Sequence, residues 1–94
     1  MLKSLAATLL GIGLLASATA FGAEKTVTLA VQNMYCAACP LTVKGSLEAV
    51  AGVSRVIVSY ADKTAVVTFD DRKTTVPALM AATTNAGYPS SPRN

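Results

Sequence analysis

The sequence predicts an α+β domain in which two helices cover one face of a four-stranded antiparallel sheet. Three observations predict it: segments with the alternation or the β-branched content of strands, segments with apolar residues at helical spacing, and prolines and glycines near the ends of the helical segments. Beyond an apolar N-terminal segment, roughly 70 residues remain, which is enough for one small core and leaves no room for a second domain.

The N-terminal segment, residues 1–22, has the features of a secretory signal peptide. Lys3 gives it a positive start, an apolar stretch covers residues 5–15, and Ala18-Thr19-Ala20 forms an A-x-A cleavage site. We expect cleavage after Ala20, with Gly22 as the alternative. The apolar stretch is shorter than the roughly 18 residues that a membrane-spanning helix needs, so no stable membrane insertion is expected after cleavage.

The first strand is predicted at residues 26–32, where apolar and polar residues alternate as in a half-buried strand. Its inward-facing residues are Val27, Leu29 and Val31. A loop follows, and Pro40 suits the first turn of a helix because its missing N–H has no intrahelical partner there. This helix is expected to continue to about Ala51, with Gly52 ending it in a left-handed cap.

The second half repeats the strand and helix signals. Residues 53–60 and 64–70 are rich in β-branched and aromatic side chains and flank a short turn, so they predict a hairpin. A second helix is expected from Thr75, its N-cap, to Gly87, which ends it. The last strand is expected to begin at residues 88–90. It is predicted at the edge of the sheet, because Pro89 has no N–H to donate to a second neighbouring strand. The complete order is the ferredoxin-like βαββαβ arrangement.

Composition excludes several kinds of site. The chain has no histidine, so most hydrolytic and zinc sites lose their usual base or nitrogen ligand. Beyond the signal peptide, seven basic residues stand against five acidic ones, spread along the chain without clusters or interleaved aromatic residues. No nucleic-acid partner is therefore expected.

The two cysteines, Cys36 and Cys39, are the candidate metal ligands. They are the only cysteines and lie two residues apart, in the loop and at the expected start of the first helix. Free backbone N–H groups and the helix dipole there lower the pKa of a cysteine and favour the thiolate. A disulfide between them would close a tiny loop and stabilise little. Two thiolates suit the soft ions Hg(II), Cu(I) and Ag(I), although a redox dithiol remains an alternative.

Three neighbouring side chains have two interpretations each. Met34 is a possible third soft ligand, but a methionine at this place is more often core filler. Tyr88 either shields the sulfurs from water or is simply half-buried core. Tyr35 is either an exposed loop residue or a lid over the site.

A family resemblance becomes visible at these residues. Residues 34–39, Met-Tyr-Cys-Ala-Ala-Cys, resemble the M-x-C-x-x-C metal-binding motif of the heavy-metal-associated domain family. Residues 65–71 and 86–91 are similar to the third strand and the C-terminal segment of its periplasmic mercury-binding branch. The resemblance covers residues 23–94. The family usually has glycine at the position of Asn33 and threonine at that of Tyr35; asparagine tolerates left-handed backbone, so the loop is still expected to form.

The resemblance implies a carrier and not an enzyme. One Hg(II) would bind between Cys36 and Cys39 in the periplasm and pass to an inner-membrane mercury transporter through exchange of thiolate ligands. A monomer is expected. The first alternative is a periplasmic copper(I) chaperone, although copper carriers of this fold often have a lysine where this chain has Tyr88. The second alternative is a thiol–disulfide oxidoreductase, for which the chain is short.

Overall fold

The computed structural model describes residues 23–93, so the predicted signal peptide and both cleavage sites lie outside the described residues. The six elements are β1 (Glu24–Val31), α1 (Cys39–Glu48), β2 (Val53–Ser59), β3 (Thr64–Asp70), α2 (Val76–Asn85) and β4 (Ser90–Pro92). Neither of the two helices in this part of the chain is long and apolar enough to cross a membrane.

The four strands form one sheet in the order β2-β3-β1-β4, and each neighbouring pair is antiparallel. The central pair β1–β3 runs in register from Glu24 opposite Asp70 to Ala30 opposite Thr64. Strand β4 is a three-residue edge strand, as predicted, but it begins at Ser90, so the proline on which the prediction rested, Pro89, precedes the strand. The element order and the sheet confirm the predicted ferredoxin-like βαββαβ fold.

One core lies between the sheet and the two helices. Alternate residues of the strands face it, which is the period of two expected of a sheet buried on one side. The helices contribute residues at helical spacing from the side that faces the sheet. The buried apolar residues are Leu29, Val31, Met34, Cys39, Val43, Leu47, Val56, Ala65, Val67, Phe69 and Leu79.

Helix α1 ends at Glu48, three residues before the predicted end at Ala51, so that prediction was wrong. Tight backbone turns replace the last helical turn: the N–H of Val50 donates to the Leu47 carbonyl and the N–H of Val53 to the Val50 carbonyl, both at 3.1 Å. These turns reverse the chain so that β2 can begin at Val53. Gly52 has φ +99°, so the predicted left-handed residue exists, but in the turn and not as the helix cap.

Helix α2 has the predicted ends. The Thr75 hydroxyl accepts a hydrogen bond from the N–H of Ala78 at 3.3 Å, as an N-cap does. At the other end Gly87 has φ +102°, and the N–H of Tyr88 donates to the Thr83 carbonyl at 2.8 Å. This pattern is the Schellman motif, in which a left-handed residue satisfies the last carbonyls of the helix.

Candidate metal site

The two cysteines lie together where β1 leads into α1. Cys36 is exposed in the loop, whereas Cys39 is the first residue of α1 and is 6% exposed. Their Cα atoms are 5.2 Å apart and their sulfurs are joined in a disulfide. The spacing was an argument against a structural disulfide, because the loop it closes is tiny, yet the two sulfurs are bonded here. The same proximity allows both sulfurs, once reduced, to contact one ion.

The start of α1 provides an environment that suits anionic sulfur. The N–H of Cys39 donates to the Cys36 carbonyl at 3.1 Å, which folds the loop back on the helix start. Ala38 is the N-cap and supplies no side-chain acceptor, and Pro40 occupies the first turn. The positive end of the helix dipole is therefore not neutralised by a capping side chain, so negative charge placed at this end of the helix is stabilised.

Asn33 gives the loop a left-handed residue and a tether. Its φ is +70°, which confirms that asparagine adopts the backbone conformation expected here. Its side-chain Nδ2 donates to the Gly87 carbonyl at 3.2 Å. The cysteine loop is thereby tied to the segment that follows α2, a contact that glycine at position 33 could not make.

The structure shows where the three neighbouring side chains lie. Met34 is fully buried in the core cluster that also contains Cys39, which is the packing expected of core filler. Tyr35 is 80% exposed, so it is an exposed loop residue and not a lid over the sulfurs. Tyr88 is half-buried and packs against the core; its role as a shield for the sulfurs stays a prediction.

Two residues of the β2–β3 turn contact the cysteine loop and were missed by sequence reasoning. The Tyr60 hydroxyl donates to the Tyr35 carbonyl at 3.1 Å, and the Lys63 ammonium donates to the Met34 carbonyl at 2.7 Å. Their acceptors are backbone carbonyls some 25 to 29 positions away. Since every residue has such a carbonyl, no residue type in the sequence marks these contacts.

The donor set near the sulfurs is small. Among residues 23–93, no group of three or more histidine, cysteine, aspartate or glutamate side chains is placed to hold a metal ion. A tetrahedral zinc site needs four ligands, which this region does not assemble. The two sulfurs alone suit soft ions with low coordination numbers.

Comparison with known proteins identifies the family. The sequence profile of the heavy-metal-associated domain matches residues 28–89, a span that contains both helices and both cysteines. The chain belongs to the heavy-metal-associated domain family. A relative named mercuric transport protein periplasmic component, from Shewanella putrefaciens, is 54% identical over 89 residues, which cover 95% of this chain and 96% of the relative.

Among solved structures of the family, the chain shares more sequence identity with MerP than with a copper-binding protein, whereas the fold is common to both. Oxidized MerP from Ralstonia metallidurans CH34 is 54% identical with a TM-score of 0.75, covering 77% of this chain and all of that one. The mercury-bound form of MerP is 57% identical with a TM-score of 0.68, over the same shares. A putative copper-ion-binding protein from Bacillus anthracis shares the fold at a TM-score of 0.72 but only 30% identity, covering 76% and 100%.

Proposed function

We propose that this chain is a periplasmic carrier of mercuric ion, which holds one Hg(II) between the thiolates of Cys36 and Cys39. The observation that carries the proposal is the paired sulfurs at the start of α1, close enough to bond to each other and not joined, among residues 23–93, by a histidine, aspartate or glutamate placed to share a metal ion with them. Relatives named for mercuric transport, at more than half identity, support mercury over copper as the cargo.

Binding requires that the disulfide first be reduced. A dithiol reductant supplies two electrons and two protons, which convert the disulfide into two thiols while the reductant itself becomes a disulfide. Hg(II) then replaces the two thiol protons and forms one bond to each sulfur, which leaves the metal complex without net charge. No oxidation state changes in that second step, which exchanges two protons for one bound ion, as the binding of a cargo by a carrier does.

Transfer would proceed by exchange of thiolates with an inner-membrane mercury transporter. Because Cys36 is exposed and Cys39 is buried, an incoming thiolate reaches the ion from the side of Cys36. The incoming thiolate bonds to mercury, the sulfur of Cys36 leaves, and a second incoming thiolate displaces Cys39. Mercury remains Hg(II) throughout.

The proposal includes export and processing of the chain. Residues 1–22 are the signal peptide, cleaved after Ala20 or Gly22, and residues 23–94 are the mature metal-binding domain, a monomer in the periplasm. Relatives named as periplasmic components support this location. Mass determination of the chain recovered from a periplasmic extract distinguishes the two cleavage sites.

The test is a titration of the reduced chain with Hg(II) and, separately, with Cu(I), in the presence of a competing thiol. Thiolate-to-metal charge-transfer absorbance reports binding. We expect a one-to-one Hg(II) endpoint that survives the competitor, whereas Cu(I) is removed. The opposite ranking would assign the chain to copper transport, and turnover in an insulin-reduction assay would indicate an oxidoreductase.

The ligands are tested by Cys36→Ser and Cys39→Ser. Each variant is expected to fold and to lose tight Hg(II) binding, because one thiolate remains. The matched control is Met34→Leu, which removes the nearby thioether from the core at similar volume and is expected to keep the one-to-one endpoint. Tight binding retained by either serine variant would contradict the assignment of Cys36 and Cys39.

A further inference from the structure

The three residues before Cys36 are each held by a side chain. The Asn33 amide reaches across to the Gly87 carbonyl. The Met34 carbonyl accepts from Lys63, and the Tyr35 carbonyl accepts from Tyr60. The last two donors come from one short turn, between β2 and β3.

Tyr60 and Lys63 also contact each other. The Lys63 ammonium lies 3.7 Å from the centroid of the Tyr60 ring, a cation–π contact. The ring therefore positions the ammonium that binds one carbonyl, while the hydroxyl of the same ring binds the next carbonyl. The two side chains form a unit, which we call the Tyr60–Lys63 pair.

The turn that bears this pair is itself attached to the sheet. The N–H of Val31, the last residue of β1, donates to the Lys63 carbonyl at 2.8 Å. Lys63 has φ +57°, so the chain turns sharply there before β3 begins. The two donor side chains therefore belong to a turn whose backbone is held in place by the central strands of the sheet.

The acceptors lie in the two peptide groups that lead into Cys36. Each peptide group is planar, so a hydrogen bond to its carbonyl oxygen fixes the orientation of the whole group. The Met34 carbonyl belongs to the peptide that ends in the Tyr35 N–H, and the Tyr35 carbonyl to the peptide that ends in the Cys36 N–H. Restraining both planes limits where the Cys36 Cα lies. The direction of its side chain also depends on rotation about the Cys36 N–Cα bond, and the hydrogen bond from the Cys39 N–H to the Cys36 carbonyl restrains the backbone on that side.

We propose that Tyr60 and Lys63 are positioning residues for the cysteine pair: they orient the loop so that the sulfur of Cys36 stays close to that of Cys39 when no bond joins them. The inference rests on the proposed function of the two cysteines as metal ligands. A loop held in its binding conformation loses less conformational entropy when the ion binds, and it therefore retains the ion better against competing thiols.

The test uses Tyr60→Phe, which deletes the hydroxyl and keeps the ring, and Lys63→Met, which deletes the ammonium and keeps most of the stem. Backbone order parameters from ¹⁵N relaxation are measured on the reduced, metal-free chain. The rate at which a competing dithiol removes Hg(II) is measured on the loaded chain. The matched control is Lys25→Met, which removes an exposed lysine where β1 pairs with the far end of β3.

We expect both variants to lower the order parameters of residues 35–37 while those of the sheet stay unchanged. Removal of Hg(II) is expected to be about threefold faster for each variant, the effect of one modest hydrogen bond. Because the two side chains touch, the double variant should differ from the product of the single effects. Lys25→Met is expected to leave both measurements unchanged.

Two results would overturn the inference. Loop order and Hg(II) removal equal to those of the unmodified chain in both variants would show that the hydrogen bonds do not position Cys36. Loss of order spread over the sheet would show that the pair supports general stability instead. If the unmodified chain fails to bind Hg(II), the proposed function fails, and the order parameters of the metal-free chain still test the Tyr60–Lys63 pair.

Discussion

Substitution of Asn33 separates the two contributions of this residue to the cysteine loop. Asn33→Ala removes the hydrogen bond to Gly87 and places an ordinary side chain at φ +70°, whereas Asn33→Gly removes the same hydrogen bond without a steric cost at positive φ. The difference in stability between the two variants therefore measures the free-energy cost of a side chain at positive φ.

The magnitudes follow from the contact and the dihedral angle. The hydrogen bond is exposed and 3.2 Å long, so its loss costs about 0.5 kcal/mol, the lower end of the usual range. Alanine at a left-handed position costs a further 1 kcal/mol or so. We expect Asn33→Ala to lower the free energy of unfolding by about 1.5 kcal/mol, and Asn33→Gly to change it by less than about 1 kcal/mol.

The assay is urea unfolding of the disulfide form, in which the dependence of the free energy on denaturant should be the same for all variants. The control is Asn85→Ala, since Asn85 is the last residue of α2 and has helical backbone. Equal stability of the alanine and glycine variants at position 33 would refute the reasoning, because the left-handed backbone would then contribute nothing.

Substitutions at four further positions test the fold. Gly52→Ala should lower the melting temperature and cost more than about 1 kcal/mol, because φ is +99° and the new Cβ would lie 2.7 Å from the Lys73 Cβ. Gly45→Ala should instead stabilise α1 by up to about 1 kcal/mol, because the new Cβ would have no atom within 4 Å. Thr75→Ala should cost about 1 kcal/mol in chemical denaturation, whereas Thr75→Ser keeps the cap and most of the stability. Leu47→Ala should cost about 2–5 kcal/mol, since the side chain is fully buried, and a smaller loss would show that the core closes around the cavity.

Local chemistry allowed much of the fold to be predicted from the sequence. The N-cap at Thr75 and the left-handed Gly87 are determined by a few adjacent residues, so they are visible in the sequence. The end of α1 was not visible in the sequence, because residues 49–51 are compatible with a helix. The chain turns early there so that Val53 can pair with Phe69 of β3.

The candidate site divides in the same way. The spacing of Cys36 and Cys39 and their place at a helix start are local, so the sequence sufficed to single them out. The Tyr60–Lys63 pair was missed because its partners are backbone carbonyls, which every residue has and which therefore leave no signal in the sequence. The sequence also left the state of the sulfurs open, because proximity serves a disulfide and a metal complex equally well.

The ends of the sheet have a consequence for how the chain behaves among copies of itself. An unpaired strand edge is a template for strand addition, the first step of sheet-like aggregation. On one side the edge is only three residues long and closes with Pro92, which has no N–H to offer. On the other side β2 carries an irregularity between Val53 and Arg55 and an exposed charge at Arg55. Both features disfavour polymerisation through the sheet edges, so contacts between copies through added strands are discouraged at each end of the sheet.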